Sequence, residues 1–489
     1  MKKLSGLLSE IEYELIQGQI PDIEITGICR DDRKIEKDCI FVCIEGMNFD
    51  GHESAAKADA GGAAVIVASK EVKGVRDAAV IKVKDTRLAL ALLCAAWYDH
   101  PDQRLKVIGV TGTKGKTTTT YMIKSVLERA GIKTGLIGTI ETVIGDEHIP
   151  SQNTTPDSDV LQATLNKMAD EGCEAVVMEA SSQGFKLHRT AGITFEVGVF
   201  TNISPDHIGP GEHEDFDDYL RCKGMLFKQC KHGIVNMDDE HTKDVIKGHT
   251  CTITGYGFGE DCDIRVTNCE LVNSGTHLGV DFDVKGQMNL RARVNMPGRF
   301  SVYNALCAMS VCHSLGVDTD VMKEAIAGAK VKGRIEFIKV SDDFSLMIDY
   351  AHNAMALESL LTTLREYEPG RLVSVFGCGG NRSKLRRYEM GEVSGKLADL
   401  TVITSDNPRF EKPLDIIADI VTGIKKTDGE FVEIPDRKEA IRYVIENGQK
   451  GDVIVLAGKG HEDYQEIEGV KHHMDERELI AQVLEEIAD

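Results

Sequence analysis

The stretch Val110–Thr118, which reads Val-Thr-Gly-Thr-Lys-Gly-Lys-Thr-Thr, constrains the fold more than any other part of the chain. It ends the apolar run Leu105–Val110, a strand by composition, and leads into Tyr121–Arg129, whose spacing suits a helix. Strand, glycine turn and helix in that order put free backbone N–H groups at a helix start, where they meet an anion. Gly112 and Gly115 let the backbone approach that anion closely. Lys116 has the reach for β- and γ-phosphate oxygens, Thr117 can hold Mg²⁺, and Thr113, Lys114 and Thr118 complete the turn. The spacing departs from the standard Walker pattern, because the earlier glycine stands three positions before Gly115 and Val occupies position 110. A glycine turn without a ligand is the competing reading. The ordered strand, Gly-Lys-Thr and helix argue against it.

At 489 residues the chain is too long for one hydrophobic core, and roughly 150 residues per domain gives about three. No apolar run approaches the ~20 residues that span a bilayer. The start, Met1–Gln17, carries acidic residues where a secretion signal is uninterruptedly apolar. A cytoplasmic protein without membrane insertion is expected. Thirteen cysteines without a C-x-x-C pair fit a reducing compartment and read as small core residues. A formal charge of −22 argues against general nucleic-acid binding, so an anionic substrate must be met by local Lys, Arg, backbone N–H groups and metal.

Up to residue 104, short apolar runs such as Cys39–Ile44 and Ala63–Ala68 alternate with helix-like stretches, which predicts a small α/β domain. Residues 105–331 form a larger α/β block with strands at Ala175–Met178 and Phe195–Phe200. Within it, Thr252–Val294 reads as an antiparallel insertion or flank. In residues 332–489 a third alternation has strands at Ser345–Asp349, Leu372–Phe376, Leu400–Thr404 and Val453–Ala457, spaced to leave room for crossover helices. Glu179 and Asp206-His207 follow strands of the middle block and should emerge at the same sheet edge as the phosphate turn. A carboxylate and an imidazole there can bind Mg²⁺, although each residue alone is as well explained by solvation or an ordinary hydrogen bond.

Taken together, Asp31–Arg33, Thr111–Thr118, Asn153–Pro156, Met178–Ser182, Asp206-His207, Lys223, Asn304-Ala305, Gly333-Arg334, Asp349–His352, Gly377–Gly380, Asp406–Arg409 and Gly458–Glu462 resemble, in order and over nearly the whole chain, the Mur ligase family and its UDP-N-acetylmuramoyl-tripeptide synthetases. The resemblance implies an α/β fold of three α/β domains: an N-terminal UDP-binding domain, a central P-loop-type ATPase domain and a C-terminal Rossmann-like domain that brings the amino acid. It implies a peptide-forming ligase of wall synthesis, with ATP and Mg²⁺ as cofactors and a UDP-N-acetylmuramoyl dipeptide as partner. ATP would phosphorylate the free side-chain carboxylate of D-glutamate, and an incoming amine would displace phosphate while domain closure excludes water.

By the same resemblance Lys116, Glu179, His207 and Lys223 are catalytic, and Thr117, Glu179, His207 and Lys223 serve the metals. Lys223 matches the lysine that family members carbamylate with CO₂ (N6-carboxylysine). A cation there would repel Mg²⁺, whereas a carbamate supplies an oxygen ligand. Asn304 reads adenine, and Arg334, Asp349 and His352 face the nucleotide. Asp32, Thr154, Thr155, Ser181 and Arg189 fall on the UDP-substrate side. The chain departs from the common family pattern at Asp32, where Ser is usual, at Leu187, at Asn353–Met355 and over His207–His213.

Asp406-Asn407-Pro408-Arg409 is similar to the form in members that add meso-diaminopimelate. The distal end of that amino acid carries a carboxylate beside an amine, which calls for a cationic fork and an acceptor. Arg382 and Arg409 offer the guanidiniums, Glu462 the acceptor, and Gly458 lies in the same site. Asn381 and Ser383 flank Arg382 where many such enzymes have acidic residues. The alternatives are a lysine-adding ligase, a folylpolyglutamate-type ligase, which lacks the N-terminal domain, and an idle UDP-precursor-binding protein.

Overall fold

The computed structural model describes residues 1–46, 48–274 and 277–488. The chain packs as two compact units, Met1–Arg265 with Cys307–Asp318, and Val266–Leu306 with Thr319–Asp489.

The first unit contains a small sheet of Glu14–Gln17 (β1), Ile28–Cys29 (β2), Ile40–Val42 (β3), Val65–Ala68 (β4) and Ala79–Lys82 (β5) in the order β1-β5-β4-β3-β2. All pairs are parallel except β1 with β5. Both faces of β3 and β4 are covered, so these strands read as continuous apolar runs rather than alternating ones.

The larger sheet is built around Lys106–Thr111 (β6), which runs into the helix Lys116–Arg129 (α1). Its other strands are Thr134–Ile137 (β7), Glu141–Ile144 (β8), Glu147–Pro150 (β9), Ala175–Glu179 (β10), Phe195–Phe200 (β11), Cys230–Asn236 (β12) and Thr252–Gly257 (β13), ordered β9-β8-β7-β10-β6-β11-β12-β13. In register, Glu179 stands opposite Val110 and Phe200 opposite Thr111. The phosphate turn, Glu179 and the loop after Phe200 therefore leave the sheet at one level of its carboxyl edge, where ligands bind in open parallel sheets.

The expectation of an antiparallel block over Thr252–Val294 needs correction. β13 pairs parallel with β12, and the strand Ile264–Asn273 (β14) begins parallel to β13. The hairpin Leu278–Gly286 (β15) and Leu290–Val294 (β16) is antiparallel, as expected. The turn residues and alternation that suggested hairpins throughout record one-sided burial in β14 and β15, and one-sided burial does not fix strand direction.

In the second unit Glu336–Ile338 (β17), Ser345–Asp349 (β18), Leu372–Phe376 (β19), Leu400–Ile403 (β20), Glu430–Glu433 (β21) and Val453–Ala457 (β22) are ordered β17-β18-β22-β19-β20-β21. Every pair but β17 with β18 is parallel. β22 lies at the centre, and its five residues are buried. Each Val, Ile or Leu side chain removed from water there contributes ~1.5–3 kcal/mol. Beyond β22 lie the hairpin Tyr464–Ile467 (β23) and Val470–His473 (β24) and the helix Glu476–Ala488. The loops after β18, β19, β20 and β22 carry Tyr350–His352, Gly377–Gly380, Asp406–Arg409 and Gly458–Glu462, and all leave the carboxyl ends of the parallel strands. Among the described residues no helix is long and apolar enough to cross a membrane. All thirteen cysteines are free, and all but Cys29, Cys251 and Cys269 are buried.

Candidate active site

The turn after β6 is held from behind by the loop after β11. The N–H of Thr113 donates to the carbonyl of Asn202 at 2.8 Å, that of Lys114 to Oδ1 of Asn202 at 2.9 Å, and Oγ1 of Thr201 to the carbonyl of Lys114 at 2.8 Å. A Cβ at Gly112, where φ is 150°, would lie 1.9 Å from Oγ1 of Thr201, so only glycine lets the two loops close on each other. Gly115, with φ 85°, caps α1. Thr113 also meets the Tyr219 hydroxyl at 3.0 Å, and Thr118 is half-buried. Nζ of Lys116 folds back onto the carbonyls of Gly112 (2.8 Å) and Thr113 (3.1 Å), so the turn is closed around its own ammonium.

A hydrogen-bonded path leads from this turn to the next loop. Oγ1 of Thr117 donates to Oε1 of Glu179 at 2.9 Å, and the backbone and hydroxyl of Thr139 donate to the two oxygens of the same carboxylate at 2.8 and 3.0 Å. Oγ1 of Thr154 lies 3.0 Å from that of Thr139. Thr155 donates to the carbonyl of Glu179 (2.9 Å) and accepts from the N–H of Ser181 (2.9 Å). Ser181 caps the helix Ser182–Lys186. Arg189 donates to the carbonyl of Thr155 at 2.8 Å and pairs with Asp157 at 2.8 Å. Asp157 also holds Arg30, next to β2 (2.8 Å), which ties the small sheet to this loop. Asp32 accepts from Ser54 at 2.8 Å and pairs with Lys57 at 3.1 Å, and the Ser54 hydroxyl and Lys57 hold its carboxyl below the ordinary value.

Of the residues expected to serve metal, Thr117 and Glu179 are in contact. Their hydroxyl and carboxylate oxygens are a hard donor set that suits Mg²⁺. Lys223, on the helix Phe216–Gly224, is 1% exposed and donates to the carbonyl of Gly112 at 2.9 Å. Burial above all, and Lys116 beside it, hold its amine well below the usual lysine range. His207 sits on an exposed turn with φ 55°, its Nδ1 3.2 Å from Glu212, and its ring centroid 6.3 Å from that of Tyr219. No described hydrogen bond joins it to Thr117, Glu179 or Lys223.

Sequence reasoning met His213 only as the end of a departure from the family pattern and gave it no role. Its Nδ1 meets Asp218 and its Nε2 meets Ser182, each at 2.9 Å and almost wholly buried. Cys222 joins His213 and Asp218 in a group with metal-ligand spacing. Asp218 is already paired with Lys186 at 2.7 Å and with Arg221, so these residues brace the helices around Lys223.

In the second unit Asn304 is buried in the helix Arg299–Ser314. The Arg334 guanidinium lies 4.4 Å from the ring centre of Tyr350, whose ring also packs on His352 (4.7 Å) and His461 (4.8 Å). Asp349 accepts from the N–H groups of Ile335 and Ala351, both at 2.9 Å, and burial pushes its carboxyl up despite Arg334 nearby.

Below lies a second cluster. Asn407 donates to Oε2 of Glu462 at 3.1 Å. Arg409, in the left-handed region at φ 51°, pairs with Glu466 at 3.1 Å and donates to the carbonyl of Gly380 at 2.8 Å. A Cβ at Gly380 would lie 1.9 Å from the carbonyl oxygen of Pro408, so the loops after β19 and β20 touch through backbone. Arg382 is exposed and makes no hydrogen bond or ion pair with any described residue. Gly458 has φ 109°, and a Cβ there would stand 3.7 Å from Asp406. Lys459, inside a motif already singled out, is the contact that sequence reasoning missed: it pairs with Glu462 at 2.8 Å.

Three family models match most of the chain. "Mur ligase family, catalytic domain" matches residues 24–98, "Mur ligase middle domain" residues 110–312 and "Mur ligase, glutamate ligase domain" residues 333–460. The chain belongs to the Mur ligase family. Among relatives, it is 43% identical over 488 residues, 99% of this chain and 100% of the other, to UDP-N-acetylmuramoyl-L-alanyl-D-glutamate–2,6-diaminopimelate ligase 1 of Clostridium acetobutylicum. A solved structure of a UDP-N-acetylmuramoyl-L-alanyl-D-glutamate–2,6-diaminopimelate ligase superimposes with a TM-score of 0.75 at 29% identity, covering 99% of both chains. A folylpolyglutamate synthase of Mycobacterium tuberculosis shares the fold at 17% identity with a TM-score of 0.59, but covers only 76% of this chain. The folylpolyglutamate alternative thus leaves about a quarter of this Mur ligase unaccounted for.

Proposed function

We propose that this Mur ligase is an ATP-dependent ligase that joins meso-diaminopimelate to UDP-N-acetylmuramoyl-L-alanyl-D-glutamate in peptidoglycan synthesis. The observation that carries the reading is the 43% identity, end to end, with a relative named for that reaction. The Asp406–Arg409 and Glu462 cluster supports the choice of amino acid, since it offers the Arg409 guanidinium and the Glu462 carboxylate, as an amino acid with a second carboxylate and a second ammonium requires.

The residues divide the work as follows. Backbone N–H groups of Gly112–Thr118 and the Lys116 ammonium take the triphosphate, while Asn304, Arg334, Asp349 and His352 are assigned to the nucleotide. Thr117, Glu179, His207 and a carbamate on Lys223 would hold Mg²⁺, which supplies positive charge to offset the repulsion between a carboxylate and the phosphates. Thr154, Thr155, Ser181, Arg189 and Asp32 are assigned to the UDP-linked substrate, and the bonds that tie Thr155 to the carbonyl of Glu179 and to Ser181 keep that loop in register with the phosphate turn. The glutamyl carboxylate attacks the γ-phosphorus, the bond to the β-phosphate oxygen breaks, and ADP leaves. The amine of diaminopimelate then attacks the acyl carbon, loses a proton and displaces inorganic phosphate.

The same reading divides the chain at residues 1–104, 105–331 and 332–489, one part for each substrate. Nucleotide-linked substrates and thirteen free thiols favour the cytoplasm. The test is phosphate release with ATP, Mg²⁺ and the UDP-linked dipeptide, adding meso-diaminopimelate or L-lysine in turn. Release that depends on diaminopimelate supports the assignment, and release with lysine alone reverses it.

A further inference from the structure

Lys459 follows β22, three residues before Glu462, and its side chain is 0% exposed. An ammonium withdrawn from water so completely must be met by partners. All of those partners belong to one loop cluster. Its Nζ donates to Oε2 of Glu462 at 2.8 Å, to Oδ1 of Asn407 at 3.1 Å and to the carbonyl of Tyr464, and lies 3.5 Å from Oδ1 of Asp406. The Tyr464 ring centre is 4.9 Å away.

These bonds have two consequences. Oδ1 of Asn407 accepts from Lys459 and from the N–H of Glu466 (2.9 Å), so the amide nitrogen is turned to Oε2 of Glu462. Oε2 is then filled by Lys459 and Asn407, and among the described residues Oε1 meets only the Tyr350 hydroxyl, at 3.5 Å. Oδ1 of Asp406 is buried and also has no hydrogen-bond partner among the described residues. The cluster therefore leaves Oε1 of Glu462 as the carboxylate oxygen that Lys459 and Asn407 do not fill, held only by the long Tyr350 contact.

We propose that Lys459 is the positioning residue of the amino-acid site, holding Glu462 and Asn407 in the arrangement that presents Oε1 of Glu462 to an ammonium of the incoming diamino acid. This rests on the reading of the cluster as the amino-acid site. Lys459 does not touch the reacting atoms. It acts through Glu462 and Asn407.

The charge balance gives the proposal a readout of its own. Burial pushes the Glu462 carboxyl up, and Lys459, first as a nearby charge and then as a donor, with Asn407, holds it below the ordinary value. The other groups that face Glu462 cannot replace that cation. Burial pushes Tyr350 up to about 12 and raises Tyr464, so both hydroxyls stay neutral. Burial, and then Arg334, lower His461 to about 4, so it is neutral near pH 7. Asp406 and Glu466 are acids, Arg409 is committed to Glu466, and Arg334 lies against Tyr350. Without Lys459 the burial effect is unopposed, and the carboxylate form gives way at a higher pH.

The experiment uses the full chain with Lys459→Met, Lys459→Arg and Glu462→Gln, and reads KM for each of the three substrates, kcat, and the acid limb of kcat/KM for diaminopimelate. For Lys459→Met the expected result is a KM for diaminopimelate raised at least about tenfold, as loss of one charged hydrogen bond gives. Its kcat and the KM values for ATP and the UDP-linked dipeptide should stay within about threefold, and its acid limb should move up by about one pH unit or more. An unmoved limb together with an unchanged KM for diaminopimelate overturns the proposal. If Lys459→Met does not fold, Lys459→Arg decides: its displaced cation should keep the acid limb in place but raise the KM, and a wild-type KM overturns the proposal. Glu462→Gln separates the two levels. A Glu462→Gln enzyme with wild-type KM for diaminopimelate removes the parent reading, whereas a raised KM there with wild-type behaviour in the Lys459 variants removes only the role of Lys459.

Discussion

Lys116 and Lys223 donate to the same acceptor, the carbonyl oxygen of Gly112, at 2.8 and 2.9 Å. Two full ammonium charges on one neutral carbonyl repel each other, and Lys223 is the one sealed from water, at 1% exposure. Carbamylation of Lys223, as proposed, would use its neutral amine: the nitrogen would add to CO₂ with loss of a proton, and an anionic carbamate oxygen would take the place of the second cation. Lys223→Ala is therefore expected to lose at least about 100-fold in kcat, with partial recovery in formate or acetate, whose carboxylates imitate the missing oxygens. Steady-state rates with and without the added anion check this. Full activity of the unsupplemented variant would refute the role.

Lys116 donates to the carbonyls of Gly112 and Thr113, and in the proposed reading a bound phosphate would take over that ammonium. Lys116→Ala should cost roughly 10²–10³ in kcat, the typical loss when one charge-stabilising donor is removed. Phosphate release under saturating substrates measures it, and near-normal ligation would exclude the assignment.

Thr117 and both donors of Thr139 converge on Glu179 and fix its carboxylate, which is proposed to serve Mg²⁺. Glu179→Gln keeps the shape and removes the charge. The Mg²⁺ concentration needed for half-maximal rate should rise about 10–100-fold, in line with disturbed metal sites. An unchanged Mg²⁺ dependence would place the metal elsewhere.

Arg437 and Glu476 form a pair 2% and 0% exposed, and the same guanidinium donates to the carbonyls of Ser405 and Ala457 at 3.1 Å each. It clamps the ends of β20 and β22, from which the Asp406–Arg409 and Gly458–Glu462 loops start. Arg437→Met leaves a buried carboxylate unpaired and should destabilise the protein by ~3–5 kcal/mol. Urea unfolding reads the loss, and a change below about 1 kcal/mol would mean that the pair is not needed.

Much of this was legible in the sequence, and the reason is period. Central parallel strands such as Val453–Ala457 are buried on both faces and stand out as apolar runs. The edge strands Glu336–Ile338 and Glu430–Glu433 are half exposed, so they carry no such signal and were missed. The phosphate turn was readable because glycine, lysine and threonine sit in one segment. The Thr139–Glu179 contact was not, because it joins residues 40 apart that meet only once β7 and β10 pair. Lys459 was in view within Gly458–Glu462, yet a lysine between glycines looks solvated until burial is known. His213 was hidden for the same reason.

In the proposed reading, specificity between diamino acids would turn on Arg382 and Arg409. A Cβ placed on Gly379 would stand 2.9 Å from Nη1 of Arg409 and 3.8 Å from Cγ of Arg382, so the two side chains flank one glycine. Arg409 is fixed by Glu466 and the Gly380 carbonyl in a left-handed backbone, whereas the Arg382 fork is open. A distal carboxylate would join them. Lysine lacks it and would leave both guanidiniums without that anion, a loss of ~2–5 kcal/mol, or roughly 30-fold to several thousandfold in kcat/KM. Arg409→Ala should raise KM for diaminopimelate and remove most of its advantage, with little effect on any weak lysine activity. Arg382→Ala should act in the same direction without loss of stability, because no described contact depends on it. Competition kinetics with both amino acids decide the matter, and equal kcat/KM in the wild-type enzyme would move the lysine-adding reading to first place.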